Sequence, residues 1–379
     1  MLNLRSALMH KWRQFTVSLL LTCAFARVNA LAQLTDQDAG FQWIDARTLT
    51  VEGKGWKDTK HVYDRLPRQA EGTVRAAVWS LSQDSAGLAV RFVTDATAIA
   101  SRWTLRRDRL AMPHMPASGV SGLDLYIRDR GKWHWIGGGR PDKFPTDQKD
   151  LARGLTPGRR EYLLYLPLYN GVEELTIGIP TNSTIEPAPR RAPDLKPVVF
   201  YGTSIVQGGC AARAGMAYPA ILGRRLDREQ INLGFSGNAW SEPELARLLA
   251  ELDPAAYVLD PLPNMKEEWV APRIARLVQL LRAAHPTTPI VLVENVAYAN
   301  GDFVGVRRER YTKANARLRA TYDGLRRGGD KHLLYVSTNG LLGTDNEGTV
   351  DGTHPTDLGF LRMADAIEPV LKRALRSQR

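Results

Sequence analysis

The second half of the chain carries three side chains that could act together as a nucleophile, a base and an acid that orients the base. In PVVFYGTSIVQGG at 197–209, Ser204 follows an apolar run that ends at Gly202. Asp351 and His354 share the segment DGTH at 351–354. A serine hydroxyl becomes an effective nucleophile when a base such as histidine takes its proton. An aspartate bonded to the other ring nitrogen would hold that base in the required tautomer. The three residues predict attack of Ser204 on an acyl group, although the segment around Ser204, taken alone, is better explained as a turn.

Three further groups could receive the negative charge that develops on an ester carbonyl during such an attack. They are the backbone N–H of Ser204, the backbone N–H of Gly237 in GFSGN at 234–238, and the side-chain amide of Asn264 in PLPN. Donors that are already in place stabilise an oxyanion strongly. Each segment alone resembles an ordinary turn or cap, but together they supply the parts of a serine hydrolase.

The elements that must position these residues alternate between strand and helix from residue 197 onward. Strand patterns fall at 198–201, 231–235, 257–260, 290–294 and 333–336, and helical patterns fall near 216–226, 242–252, 267–284, 308–325 and 355–375. The carboxyl ends of parallel strands meet at one edge of a sheet, and the candidate residues follow such ends. We therefore predict an α/β domain over 197–379, with a parallel sheet covered on both faces.

Residues 33–186 show the pattern of short strands. Apolar and polar residues alternate along 88–93 and 123–128, and further strand patterns occur at 162–166 and 175–179. Six of the nine tryptophans lie in this region. The pattern predicts an all-β sandwich of jelly-roll kind. Exposed indoles would suit carbohydrate binding, but we interpret most of these tryptophans as core residues.

The two ends of this β region differ in composition from it. The proline-rich segment 187–196 predicts an extended linker to the α/β domain. At the N terminus, Lys11 and Arg13 precede an apolar run at 15–25, and small residues follow up to residue 32. This is the pattern of a secretory signal peptide over 1–32, which predicts a periplasmic or extracellular protein with no membrane insertion after cleavage. An uncleaved anchor, or a lipidated Cys23, is the alternative.

Charge and cysteine content exclude several classes of function. Loss of residues 1–32 would remove four basic residues and no acidic one, so the net charge would fall from +11 to +7. Acidic polysaccharides or an envelope surface would suit this charge, but no basic run with interleaved aromatics marks a nucleic-acid groove, and we interpret it as solvated surface. Only Cys210 would remain, as a packed side chain, and no Cys/His cluster has metal-ligand spacing. We expect neither a metal nor a cofactor.

Four blocks of this sequence resemble the SGNH (GDSL-type) hydrolases: GTSI at 202–205, GFSGN at 234–238, PN at 263–264 and DGTH at 351–354. GLDLY at 122–126 matches the GxDLY motif of a subgroup with an additional N-terminal β domain. The resemblance covers nearly the whole chain after the signal segment. It implies a flavodoxin-like α/β/α domain and makes Ser204, Asp351 and His354 the catalytic triad, with Gly237 and Asn264 as oxyanion donors. The sequence departs from the family at Thr203, where the family's namesake has Asp, and at Pro263, where many members have Gly.

The resemblance, the predicted export and the aromatic-rich β region together imply an exported serine esterase that removes a short acyl group, acetyl above all, from carbohydrate. Short acyl groups are also favoured because the sequence shows no apolar lid segment. The alternatives are a lysophospholipase or thioesterase, a peptidoglycan O-acetylesterase, and a carbohydrate-binding protein without activity. Four residues near the blocks are candidates for the substrate pocket: Trp240, Arg213, Tyr218 and Glu294.

Overall fold

The computed structural model describes residues 40–376, so the predicted signal segment lies outside the described residues. The first part of the chain, up to residue 187, forms two antiparallel sheets. Their strands are β1 (Phe41–Asp45), β2 (Thr50–Glu52), β3 (Ala89–Thr94), β4 (Ala98–Leu105), β5 (Leu123–Asp129), β6 (Lys132–Gly139), β7 (Thr146–Arg153), β8 (Arg160–Tyr165), β9 (Val172–Pro180) and β10 (Ile185–Pro187). One sheet has the order β1-β9-β4-β7, and the other has the order β10-β3-β8-β5-β6 with β2 beside β3. The predicted β-sandwich is confirmed. Two short helices, α1 (Ala76–Ser82) and α2 (Ala117–Val120), interrupt it and were not predicted.

Side-chain alternation along the strands explains where the second sheet packs. Leu123 and Leu125 of β5 point into the core between the two sheets. Tyr126, on the opposite face, belongs to a core that also contains Phe200 and Ile221 from the α/β part of the chain. Because neighbouring residues of a strand face opposite sides, this sheet is covered on both faces. The β-sandwich is therefore packed directly against the α/β part.

The prediction that most tryptophans of this region are core residues holds for four of the six: besides Trp103, the partly buried Trp56, Trp79 and Trp133 pack against hydrophobic cores. Trp103 is fully buried between the sheets, but Trp135 is 51% exposed, and Trp43, Trp56, Trp79 and Trp133 are only partly buried. Trp133 and Trp135 lie on β6, which is an edge strand. An edge strand has neighbours on one side only, so its large side chains remain accessible.

The second part of the chain is the predicted α/β unit. Its strands are β11 (Val198–Gly202), β12 (Gln230–Gly234), β13 (Ala256–Asp260), β14 (Ile290–Val293) and β15 (Leu333–Val336). All are parallel, in the order β12-β11-β13-β14-β15. The helices are α3 (Ser204–Gln207), α4 (Tyr218–Arg225), α5 (Pro243–Ala250), α6 (Glu267–Ala284), α7 (Gly305–Arg327) and α8 (Asp357–Arg376). This is the flavodoxin-like strand order, and the predicted fold class is confirmed.

Alternation also builds the two cores of this unit. Val198 and Phe200 of β11 pack on the side of α4 and α8, whereas Val199 and Tyr201 pack on the side of α5, α6 and α7. A strand buried on both faces is apolar at every position, as the run before Ser204 is.

A cluster of charged side chains holds the segment that follows β10. Arg191 donates to the Glu52 carboxylate, with Nε and Oε1 2.9 Å apart, and to Asp227 Oδ1 at 3.2 Å. Beside it, Glu229 Oε1 accepts a bond from the Gly53 N–H at 2.7 Å. Burial, together with the neighbouring carboxylate of Glu52, raises the pKa of Glu229 to about 7. The protein therefore holds Glu229 in a place that favours its protonated form.

We expect this raised pKa to make stability fall with rising pH. The contribution of protonated Glu229 is complete below about pH 4.5 and is lost as the pH rises through about 7. Glu229→Gln removes this titration. From pH 5 to pH 8 the free energy of unfolding of wild type should therefore fall by about 2 kcal/mol more than that of Glu229→Gln, as measured by urea denaturation. Glu244→Gln, at a glutamate of α5 whose side chain is 44% exposed, is the matched control. An unchanged pH dependence in Glu229→Gln would contradict this account.

Candidate active site

Three neighbouring strands end at the same level of the sheet. Gly202 at the end of β11 lies opposite Gly234 of β12 and Asp260 of β13. Ser204, Gly237 and Asn264 follow these strand ends by two to four residues. The topology thus brings three of the candidate residues to one edge, as the sequence predicts.

Ser204 is the first residue of the short helix α3. The Thr203 side chain caps this helix by accepting a hydrogen bond from the Ile205 N–H at 3.2 Å. Thr203, the departure from the family's Asp, thus makes a capping contact that an Asp side chain can also make. As the first helical residue, Ser204 has no intrahelical acceptor for its own N–H.

Ser204, His354 and Asp351 form a hydrogen-bonded chain. Ser204 Oγ lies 2.8 Å from His354 Nε2, and His354 Nδ1 lies 2.7 Å from Asp351 Oδ2. Asp351 Oδ1 accepts the backbone N–H groups of Thr353 and His354, at 3.0 and 2.8 Å. Partial burial raises the pKa of Asp351, but these backbone and ring hydrogen bonds outweigh it and lower the pKa overall. The carboxylate stays ionised and can hold the Nδ1–H while Nε2 faces the serine.

The other two candidate donors lie on turns with defined orientations. Gly237 has φ of +70°, and the space where a Cβ would lie is open. Asn264 Oδ1 accepts the Ala239 N–H at 3.3 Å, which leaves Nδ2 to donate elsewhere. Donors preset around a nucleophilic hydroxyl are what stabilisation of a tetrahedral oxyanion requires.

The β-sandwich contributes directly to the turn that carries Gly237. Arg75, the residue before α1, donates from Nη1 to Asn238 Oδ1 at 2.6 Å and from Nη2 to the Asn238 carbonyl at 2.9 Å. Its guanidinium also contacts the Glu242 carboxylate and lies 3.7 Å from the ring centre of Trp240. The Trp240 indole in turn donates to the Gly237 carbonyl at 3.1 Å. One guanidinium therefore restrains both sides of the turn.

A series of hydrogen-bonded, buried polar side chains contacts the same turn from the interior of the protein. Gln207 donates to Asp84 Oδ2 at 3.0 Å and accepts the Ser236 N–H at 3.0 Å. Asp84 also pairs with Arg107, and burial raises its pKa. Arg65, fully buried, donates to the Gly234 carbonyl at 2.7 Å and to the Asn232 carbonyl at 3.1 Å. Residues from the sandwich thus satisfy the backbone groups at the end of β12.

The GxDLY motif anchors the loop that follows Ser204 and α3. Asp124 and Tyr126 lie on the face of β5 that meets the α/β part. Asp124 accepts bonds from Arg213 Nη1 at 2.9 Å and from the Gly215 N–H at 2.7 Å, and Arg213 also contacts the Tyr126 hydroxyl. Arg213 is therefore occupied in joining the two parts of the chain.

Two residues predicted for the pocket have other positions. Tyr218 is fully buried, with its hydroxyl 3.3 Å from Asp260 Oδ2, and packs edge-on against Phe200. Glu294 is buried and accepts bonds from the Tyr335 hydroxyl and the Thr338 N–H. Both lie inside the fold because each meets a polar partner there. Trp240 remains at the rim, partly exposed.

The structure also places near the site residues that the sequence did not indicate. His114, from the sandwich, has its ring centre 6.3 Å from that of His354. On another side, the loop before α7 contacts the His354 segment, with the Ala299 N–H bonded to the Gly352 carbonyl at 3.1 Å. No spacing in the sequence links these segments, which are distant along the chain.

Three single apolar side chains are exposed near the site: one on that loop, one at the start of α7 and one beside Asp351. Phe303 is 86% exposed and Val306 75% exposed, and Val350 beside Asp351 is 47% exposed. The sequence pattern missed them because glycine and charged residues separate these side chains along the chain.

Family models match both parts of the chain. Residues 195–372 match the GDSL-like lipase/acylhydrolase family, and residues 41–185 match the N-terminal GxDLY domain of SGNH hydrolase-type esterases. A crystal structure of a GDSL-like lipase from Bacteroides ovatus is 36% identical, with 89% of this chain and 98% of that chain covered and a TM-score of 0.84. This chain belongs to the GDSL-like lipase/acylhydrolase family. The acylhydrolase class of the protein follows from that membership.

Two more distant structures share the fold. The salicylyl-acyltransferase SsfX3 from a tetracycline biosynthetic pathway is 18% identical, with 88% and 97% of the chains covered and a TM-score of 0.69. A family two carbohydrate esterase from Clostridium thermocellum, in complex with cellohexaose, is 14% identical, with 77% and 93% covered and a TM-score of 0.57. No curated protein sequence matches the chain significantly.

Between residues 40 and 376, no helix has both the length and the apolar character needed to cross a bilayer. In the same range, no group of three or more His, Cys, Asp or Glu side chains is arranged to hold a metal ion. Cys210 is buried, and burial raises the pKa of its thiol to about 12.

Removal of the Arg75 guanidinium should impair turnover more than binding. Arg75→Ala deletes two bonds to Asn238 and the contact with Trp240, so the turn that carries Gly237 is free to shift. We expect kcat for an aryl acetate to fall about 10- to 100-fold with a smaller change in KM. Arg75→Lys should recover little, because an ammonium cannot make the paired contacts. Arg153→Ala, at an exposed arginine paired with Asp150, is the control, and wild-type kcat in a folded Arg75→Ala protein would refute this role.

Proposed function

We propose that this protein is an exported serine esterase that removes short acyl groups, acetyl above all, from carbohydrate. The observation that carries the proposal is the unbroken chain from Ser204 Oγ through His354 to Asp351, beside the turn of Gly237 and the amide of Asn264. Export is supported by the signal pattern at 1–32.

The reaction proceeds in two steps at Ser204. His354 Nε2 takes the serine proton as Oγ attacks the acyl carbonyl, and the N–H groups of Ser204 and Gly237 with Asn264 Nδ2 receive the oxyanion. The C–O bond to the alcohol then breaks, and His354 returns the proton to the leaving oxygen. His354 then takes a proton from water as the water attacks the acyl carbon. The bond from that carbon to Ser204 Oγ breaks, His354 returns the proton to Oγ, and the acid is released. The chain's own residues supply every proton transfer, so no cofactor is required.

The carbohydrate assignment has two supports. The fold is shared with a carbohydrate esterase whose structure contains cellohexaose, and the sandwich presents partly exposed indoles such as Trp135. Indole faces suit stacking against sugar rings. A peptidoglycan O-acetylesterase falls within the same chemistry.

Hydrolysis of longer acyl esters, as by a lysophospholipase or thioesterase, is a second candidate because of one observation. The exposed side chains of Phe303, Val306 and Val350 could cover an alkyl chain that extends from the site.

Replacing the nucleophile tests the core of the proposal. Ser204→Ala should lower kcat for an aryl acetate by about 10⁴-fold or more, and Asp351→Asn by about 10²- to 10⁴-fold, because the proton transfers fail. Ser80→Ala, at an exposed serine of α1, is the control. A fluorophosphonate should label wild type on the peptide that contains Ser204 and leave Ser204→Ala unlabelled. Equal turnover by wild type and Ser204→Ala would end the proposal.

A series of p-nitrophenyl esters separates the two candidates. For acetyl specificity we expect kcat/KM to be highest for two-carbon acyl groups and to fall by about tenfold or more by eight carbons. Phe303→Ser with Val306→Ser should leave this ratio unchanged, as should the control Leu361→Ser on α8. A maximum at eight carbons that only the Phe303/Val306 double variant abolishes would favour the second candidate.

A further inference from the structure

Three arginines contact the segments that carry the site residues, and one lysine follows Asn264 closely in the chain. Arg307 donates to Thr353 Oγ1 at 2.7 Å, directly beside His354 in the chain. Arg310, one turn later on α7, donates to the Pro263 carbonyl at 3.1 Å, beside Asn264. One face of α7 therefore meets both segments, because residues three apart in a helix are neighbours.

The other two basic residues lie at the start of α6. Arg273 donates to the Trp240 carbonyl at 2.9 Å and lies 4.0 Å from the ring centre of Trp269. Lys266, two residues beyond Asn264, has its Nζ 5.0 Å from the same ring centre. Trp240 and Trp269 are themselves 5.6 Å apart between ring centres. We call Lys266, Arg273, Arg307 and Arg310 the basic rim.

The basic rim is not neutralised by the acids around it. Within residues 40–376, none of its four side chains lies within 4.0 Å of a carboxylate oxygen, and each partner named above is a hydroxyl, a carbonyl or an aromatic ring. The neighbouring acids are paired elsewhere: Glu267 with Arg317, Glu309 with Lys313, Glu242 with Arg75, and Asp351 with His354. Two exposed acids remain nearby: Glu268, two residues after Lys266, and Asp302 on the loop before α7.

An arrangement of this kind attracts anions to the site. Four cations beside the segments of the site produce a positive potential that the two carboxylates of Glu268 and Asp302 only partly offset. A guanidinium that spends one N–H on a carbonyl or hydroxyl still has others free, and these bind carboxylates well. Because the contacts fix the arginines next to His354 and Asn264, the anionic groups they bind would flank the ester under attack.

We propose that the substrate is an acylated acidic polysaccharide, in which carboxylate-bearing sugars lie next to the sugar that carries the ester. The inference rests on the proposed esterase function and specifies its substrate. The basic rim binds the carboxylates of the neighbouring sugars, and Ser204 attacks the acyl group between them. From the sequence we interpreted the basic residues as solvated surface. Under this proposal, four of them form a localised binding site.

A matched pair of polymers tests the proposal. Acetylated polygalacturonate carries a carboxylate on each sugar, and its methyl ester is the same polymer without that charge. We expect wild type to release acetate from the acidic polymer with a kcat/KM about tenfold or more above that for the methyl ester, and this preference to shrink in 0.5 M NaCl because salt screens exposed charges.

Variants connect the preference to the basic rim. Lys266→Gln with Arg310→Gln should lower the acidic-to-neutral ratio severalfold, and a general loss of activity cancels in that ratio. Arg326→Gln with Arg327→Gln removes the same charge from the far end of α7, about 24 Å from Arg310, and should keep the wild-type ratio.

The outcomes separate this inference from the proposed function. Equal kcat/KM for the two polymers, or a ratio that Lys266→Gln with Arg310→Gln leaves intact, would overturn the basic rim as a binding site. Cleavage of an aryl acetate without acetate release from either polymer would overturn the polysaccharide substrate while keeping the esterase. Failure to cleave even the aryl acetate would overturn both.

Discussion

The close approach of the helix α3 to the strand ends is the constraint on which the rest of the candidate site depends. A Cβ at Gly202 would lie 2.4 Å from Val206 Cγ2 of α3, and one at Gly234 would lie 2.1 Å from the Gln207 nitrogen. Only glycine lets α3 press against the ends of β11 and β12 in this way. Because α3 begins at Ser204, this contact sets the height of the hydroxyl above the sheet. His354 then reaches that hydroxyl from a segment beyond the fifth strand of the sheet.

Polar side chains from the sandwich complete what glycine packing begins. Arg65 is fully buried, and burial lowers its pKa to about 10, so it remains a cation at neutral pH. Its bonds to backbone carbonyls compensate for the cost of burying that charge. Arg75 and the Gln207–Asp84 pair restrain the turn of Gly237 in a similar manner. In this acylhydrolase the sandwich is therefore a structural component of the active site, besides any contact it makes with substrate.

The surface around the site combines two chemistries. The loop before α7 presents Phe303 to solvent and the start of α7 presents Val306, while Arg307 and Arg310 follow on the same helix. Apolar and cationic groups at one opening favour different ligands, and specificity is the difference between the two affinities. The proposed acidic polysaccharide would use the cations, whereas a long acyl chain would use the apolar loop.

The sequence by itself determined the fold class and brought together the residues of the candidate site. The five parallel strands were predicted within about one residue at most ends, because strands buried on both faces are apolar throughout. Ser204, Gly237 and Asn264 could be grouped because each directly follows such a strand.

Only the tertiary structure decided what surrounds those residues. The contacts of Arg75, Asp84 and His114 with the site, and the internal positions of Tyr218 and Glu294, join segments that are distant along the chain. Local sequence patterns report burial and period but not which distant polar groups will pair. Ser204 was therefore predictable from its own strand and turn, whereas the side chains that hold its surroundings in place were not.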